Sequence, residues 1–176
     1  MKRLNAKQLR NTEPEITEIK KLKKKPIYII LDNVLDTYNI GAIFRLADAV
    51  AATKIFLCGQ TETPPNPRIK KASVSTWKWV DWEYVETAKI AVSNIKIQNP
   101  NIKIVAIEQN KKSIPLKDFQ PTFPICLVVG NESVGVTKET LEKVDKIVEL
   151  PMHGVNKSLN VMVCLGIVLY RIIDYF

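Results

Sequence analysis

The chain has 176 residues, 46% of them hydrophobic, which suits one compact domain with a closed core and a short additional segment. Its 26 Lys and Arg against 18 Asp and Glu give a net charge of +8, and the excess is concentrated, since residues 1–25 hold nine basic side chains against three glutamates. Such a balance suits a polyanionic partner, because neutralising phosphates releases counterions; a solvated chain terminus shows the same composition.

Cys58, Cys126 and Cys164 stand far apart among apolar neighbours. They form neither a disulfide framework nor zinc-ligand spacing, so buried thiols in a reducing compartment are expected and no metal site. Lys2 and Arg3 are not followed by an uninterrupted apolar segment, so no secretory signal is expected and the chain is assigned to the cytoplasm.

Taken from the N-terminus, Thr12, Pro14 and Glu15 predict a capping box that starts a short helix running towards Lys23. Residues 1–25 are thus a basic, partly helical arm, and residues 26–176 form the domain. Ile27 to Leu31 is a continuous β-prone run, as in a strand buried on both faces. Ile40, Ile43, Phe44, Ala47 and Val50 then recur at helical spacing, and Lys54 to Leu57 returns to strand character.

Residues 59–71 hold Pro64, Pro65 and Pro67 and read mostly as loop, with Trp77, Trp79 and Trp82 close behind. Further on, the pattern predicts a helix over 87–97, a strand over 103–107, a strand over 125–129, a helix over 137–144, a strand over 146–150 and a closing helix over 159–173. The apolar stretch Val161 to Tyr170 falls short of the ~20 residues of a membrane span and reads as a buried helix. Strands apolar on both faces, alternating with helices, predict an α/β fold with a parallel sheet flanked by helices. Ligands of such sheets belong at the carboxyl ends of the strands.

Three segments follow such ends. In Asn39-Ile40-Gly41-Ala42-Ile43-Phe44-Arg45, Asn39 can cap the helix, Gly41 admits a close backbone, and Arg45 lies under two helical turns on. Val129-Gly130-Asn131-Glu132-Ser133-Val134-Gly135 is a glycine-bracketed turn without the spacing of a dinucleotide or phosphate loop; it is either a ligand cradle or a tight connection. The third runs from Leu150-Pro151-Met152 through Ser158-Leu159-Asn160-Val161, where Ser158 and Asn160 are candidate caps. His153 is the only histidine, and no G-x-S-x-G elbow accompanies it, so a hydrolytic triad is not indicated.

In order and context these three segments resemble the motifs of the SpoU branch of the SPOUT methyltransferases, also called the TrmH-like family. The resemblance covers about residues 26–173. It implies a parallel α/β sheet whose C-terminal segment forms a deep trefoil knot, a homodimer with the final helix at the interface, and S-adenosylmethionine held around Gly130, Asn131, Leu150, Met152, Ser158 and Leu159. It further implies methylation of a ribose 2′-hydroxyl in tRNA or rRNA, with Arg45 activating the hydroxyl, Asn39 positioning Arg45 or substrate, and Glu132, Ser158 and Asn160 shaping the pocket. Met162 departs from the family, which often has Ser there.

A guanidinium normally keeps its proton. Arg45 therefore has either an unusually low basicity or the role of stabilising a developing alkoxide while phosphate or water takes the proton. The alternatives to this activity are a knotted RNA-binding module without catalysis, or a base methyltransferase. The arm, with Arg68, Lys70, Lys71 and the tryptophans, is a further candidate RNA contact, although the tryptophans suit the core or an interface at least as well.

Overall fold

The structure, a computed structural model, describes residues 3–12 and 14–176; Met1, Lys2 and Glu13 of the predicted arm lie outside the described residues. The first elements are α1 (Ala6–Asn11) and α2 (Ile16–Lys20). The predicted capping box at Thr12 and Glu15 is not formed. The reciprocal pair is Asn5 with Gln8, Thr12 ends α1, and Glu15 precedes α2 without a side-chain cap. Asn5 has its Gln partner three residues on, and it caps the first described helix seven residues before the expected cap at Thr12.

The domain continues through β1 (Lys25–Asp32), α3 (Thr37–Ala49), β2 (Ala52–Cys58), α4 (Pro67–Ser73), β3 (Trp82–Val85), α5 (Ala88–Gln98), β4 (Lys103–Ile107), β5 (Ile114–Pro115), β6 (Ile125–Gly130), α6 (Lys138–Leu141), β7 (Lys146–Glu149) and α7 (Val161–Ile173). Seven strands pair in the order β3-β2-β1-β6-β4-β7-β5, every pairing parallel. The expected α/β class with helices flanking a parallel sheet is what forms.

Alternation within the strands decides the two layers. Ile27, Ile29 and Leu31 of β1 join Ile40, Ile43 and Phe44 of α3 and Leu165, Val168 and Leu169 of α7 in one core. Ile30 points the other way, joining Phe56, Val128 and the Ala91, Val92 and Ile95 face of α5. A strand buried on both sides has no polar face to show, hence the unbroken apolar runs.

The proline-rich segment differs from expectation. Asn66 accepts hydrogen bonds from Arg68 N and Ile69 N and Pro67 takes the first helical position, so a helix starts inside the predicted loop. It lies on α3 because Gly41 has no side chain: a Cβ there would stand 2.6 Å from Ala72 Cβ and 2.8 Å from Ile69 O. The tryptophans behind it lean on the core. All three pack partly buried against the core, Trp82 edge-on to Phe44, with the Trp79 Nε1 donating to Asp48 Oδ1 at 2.7 Å.

The arm borders a cavity of about 590 Å³ with Lys25, Ala51 and Ile173. Lys25 and Ala51 stand at the amino ends of β1 and β2. The arm therefore sits at the opposite end of the sheet from the strand ends where a ligand is expected.

Candidate active site

At the carboxyl ends of β4 and β6 a cleft of about 540 Å³ opens, walled by residues 129–135 and by Leu150, Met152 and residues 156–161. Its shape begins with two glycines. Asn131 and Gly135 exchange backbone hydrogen bonds of 3.0 and 2.9 Å, folding 131–135 back upon itself. Gly130 permits the return, because a Cβ there would lie 2.1 Å from the Gly135 carbonyl carbon, and Gly135 adopts φ +74°. The Asn131 side chain is spent on this loop, accepting from Ser133 N and Val134 N and donating to Asn33 O. Its contribution to the cleft wall is mainly backbone.

Glu132 leaves the loop towards α3. Its carboxylate accepts from Leu35 N, Asp36 N and Asn39 Nδ2, each at 3.1 Å. Burial alone would raise its pKa, but these donors and its own backbone N–H outweigh that and hold it below its ordinary 4.5.

Asn39 is not the helix cap. Asp36 performs that task, accepting from Tyr38 N at 2.7 Å, which leaves Asn39 inside the first turn with its amide free. That amide is buried and links both neighbours, donating to Glu132 and accepting from Asn160 Nδ2 at 3.0 Å. Asn160 in turn caps α7 as expected, its Oδ1 accepting from Met162 N and Val163 N. Met162 thus enters the network through its backbone.

Gly130, Asn131, Glu132, Leu150, Met152, Ser158, Leu159 and Asn160 all line the one cleft. Ser158 is exposed and caps no helix; its backbone N donates to Asn156 Oδ1 at 3.3 Å. Asn39 stands behind the wall, held to it through Glu132 and Asn160. Arg45 does not line the cleft: it is exposed on α3. Arg68, Lys70 and Lys71 are exposed on α4, which packs against the same helix. His153 is exposed as well.

Four residues of consequence carry no motif. Buried Asp32 accepts from Thr137 N at 2.9 Å and Thr137 Oγ1 at 2.7 Å, anchoring the chain beyond the loop to the end of β1. Glu108 accepts from Val136 N at 2.9 Å, and Gln109 Nε2 donates to Lys157 O at 2.6 Å, so consecutive residues hold opposite walls of the cleft. Their position straight after a buried strand was the available signal. Cys164, read as a buried thiol, is only half-buried and borders the cleft. Among the described residues no cluster of His, Cys, Asp and Glu is fit to hold a metal, and no helix is long and apolar enough to cross a membrane.

The chain is 32% identical over 160 residues to the tRNA (guanosine(18)-2′-O)-methyltransferase of Aquifex aeolicus, covering 89% of this chain and 72% of that protein. It is 29% identical to the 23S rRNA (guanosine-2′-O-)-methyltransferase of Haemophilus influenzae, covering 92% of this chain and 65% of that protein. The crystal structure of an AdoMet-bound rRNA methyltransferase from Sinorhizobium meliloti superposes with a TM-score of 0.78 at 24% identity, over 96% of this chain and 60% of that one. The chain thus spans between three fifths and three quarters of these relatives. Residues 26–170 match the SpoU rRNA Methylase family, and with its three motifs joined at one cleft the chain belongs to that family.

Proposed function

We propose that this protein transfers a methyl group from S-adenosylmethionine to a ribose 2′-hydroxyl of tRNA or rRNA. The observation that carries the reading is the hydrogen-bonded series Glu132–Asn39–Asn160, which ties all three motifs to one cleft at the strand ends. Relatives named for 2′-O-methylation of tRNA and of 23S rRNA support the substrate class.

The cleft suits the cofactor. Its volume is within the range of small-molecule sites, and its wall offers apolar surface from Leu150, Met152 and Leu159 beside backbone of the glycine-bracketed loop. When bound, S-adenosylmethionine supplies a methyl group already activated on a sulfonium. What remains for the chain is to align the hydroxyl and to favour loss of its proton. Asn39, fixed from both sides, holds the start of α3, and the charged Arg45 guanidinium stabilises the oxygen as it gains negative character. Phosphate or water takes the proton, since a guanidinium is a poor base. Glu132 and Asn160 keep α3, the loop and α7 in register, and Ser158 offers its hydroxyl at the rim.

A homodimer belongs to the same reading. Val163, Ile167 and Tyr170 expose apolar surface along α7, more than a free helix face needs. Helix α3 packs against α7, with Leu46 beside Gly166, so Arg45 stands next to the surface a second protomer would cover. A knotted C-terminal segment and a cytoplasmic location complete the proposal.

The test is transfer of labelled methyl to total RNA, followed by digestion to nucleosides and mass analysis. Label in 2′-O-methylnucleosides is the expected product. Label in a base, or cofactor binding without any transfer, would replace this reading by a base methyltransferase or a non-catalytic binding module.

A further inference from the structure

Glu108 is a carboxylate on the cleft wall that no motif contains. It follows β4 directly, and its main chain is pinned by a 3.0 Å hydrogen bond from Glu108 N to Val148 O. Its side chain is pinned as well. Oε2 accepts from Val136 N at 2.9 Å and Oε1 accepts from Gln109 N at 2.8 Å. Gly135 leaves the room it occupies, since a Cβ there would fall 2.1 Å from Oε2. Among the described residues no cation pairs with it.

An ionised carboxylate has about four lone-pair sites. Two backbone N–H groups take one site on each oxygen, which leaves two fixed acceptors side by side, with little rotational freedom to lose on binding. Most other polar side chains of the wall are already engaged: Glu132 by three donors, Asn131 by its own loop, Gln109 by Lys157 O, Asn156 by Ser158 N, and Asn160 by Asn39 and the start of α7. Glu108 is thus the one carboxylate of the wall with acceptor sites to spare, beside Lys157 and the Ser133 and Ser158 hydroxyls. Cys164 lies close enough for the Glu108 charge to help raise its thiol pKa, behind the larger effect of burial. Glu108 therefore faces the cleft as well as the loop.

Paired acceptors on one rigid carboxylate match paired donors on adjacent carbons. Parallel α/β proteins use an acidic residue for a ribose diol in this way at the strand ends. We infer that Glu108 binds the ribose cis-diol of the nucleoside half of the cofactor, and so sets the cleft's selectivity for an adenosine-bearing ligand. The inference rests on the assignment of this cleft to S-adenosylmethionine.

Calorimetry on the full chain tests it with three ligands that share the diol: S-adenosylmethionine, S-adenosylhomocysteine, which lacks the sulfonium, and 5′-methylthioadenosine, which lacks the amino acid as well. Glu108→Gln keeps an acceptor for Val136 N and replaces the other by a donor. Expected is a loss of affinity of about ten-fold or more, similar for all three ligands, with thermal melting unchanged to within ~3 °C. In turnover the same variant raises KM for the cofactor with little change in kcat. Glu108→Ala should weaken all three ligands further; if it fails to fold, the Gln variant decides alone.

Affinity in Glu108→Gln within about two-fold of the parent would overturn the inference, as would a loss confined to S-adenosylmethionine, which would mean charge pairing instead of diol recognition. A parent protein that binds none of the three ligands would overturn the cofactor assignment itself, a result distinct from normal binding with an indifferent variant.

Discussion

Asn160 Nδ2 donates to Asn39 Oδ1 at 3.0 Å, although 121 residues separate the two along the chain. The same Asn160 caps α7 with its Oδ1, and the same Asn39 donates to Glu132, so each amide serves two elements at once. An amide with both ends occupied cannot rotate without breaking a bond in a partly buried setting.

Replacing Asn39 by Ala therefore leaves a carboxylate and an amide short of a partner. The expected cost is roughly 1–3 kcal/mol, read as a lower urea midpoint at unchanged slope. Methyl transfer should fall by more than stability does, because α3 carries Arg45. An unchanged midpoint and full activity would show that the bond is incidental.

Arg45 makes the sharpest catalytic prediction. Being exposed, it can be removed without opening a cavity, so Arg45→Ala should fold, melt and bind cofactor as the parent does. Single-turnover methylation should nevertheless drop by at least ~100-fold. Arg45→Lys should not restore it, since an ammonium lacks the planar fork of donors. Parental turnover in the Ala variant would remove Arg45 from the mechanism.

Two glycines, Gly130 in the cleft loop and Gly154 in the connection between β7 and α7, separate shape from sequence identity. Alanine at Gly130 would place its Cβ 2.1 Å from the Gly135 carbonyl carbon and 2.2 Å from Val136 N, both backbone, whereas a Cβ at Gly154 meets nothing within 4 Å. Gly130→Ala should cost ~3 kcal/mol or more and abolish cofactor binding, while Gly154→Ala stays near neutral. Equal melting temperatures for the two variants would contradict the described loop.

Glu132 sets a pH dependence. Its folded-state pKa is lowered from 4.5, because the Asn39, Leu35 and Asp36 donors outweigh the effect of burial. A lowered carboxylate contributes stability that is fully present above 4.5 and is lost as pH falls through the lowered value. Denaturation curves across that acid range should show the parent losing part of its advantage over Glu132→Gln. Parallel acid limbs in the two proteins would refute the assignment.

Thiol chemistry offers a probe of the cleft without substitution. Burial, reinforced by the charges of Asp32 and Glu83, pushes the Cys58 thiol up to about 12, and burial raises Cys126 as well. Cys164 is also raised, chiefly by burial, yet remains half-buried at the cleft. Iodoacetamide at mildly alkaline pH should modify Cys164 first, and saturating S-adenosylmethionine should slow it. Labelling of Cys164 at one rate with and without the cofactor would place the ligand elsewhere.

Composition and periodicity by themselves determined the parallel α/β class, the main strands and the closing helix, because a strand buried on both faces must be apolar throughout. The three segments at the strand ends were equally legible, as was the need for glycine at Gly41. Those are properties of neighbours along the chain.

Only the tertiary structure decided which side chain does what. Asp36 took the capping role expected of Asn39, the tryptophans went to the core, a helix arose within the proline-rich segment, and the basic arm settled at the far end of the sheet. Glu108 and Gln109 entered the cleft unannounced by any motif. The physical reason is topological: β6 lies between β1 and β4, and α7 packs on α3, so residues far apart in sequence meet at the carboxyl ends of the central strands. Hydrogen bonds across such crossovers depend on where several strands end together, which no local pattern encodes.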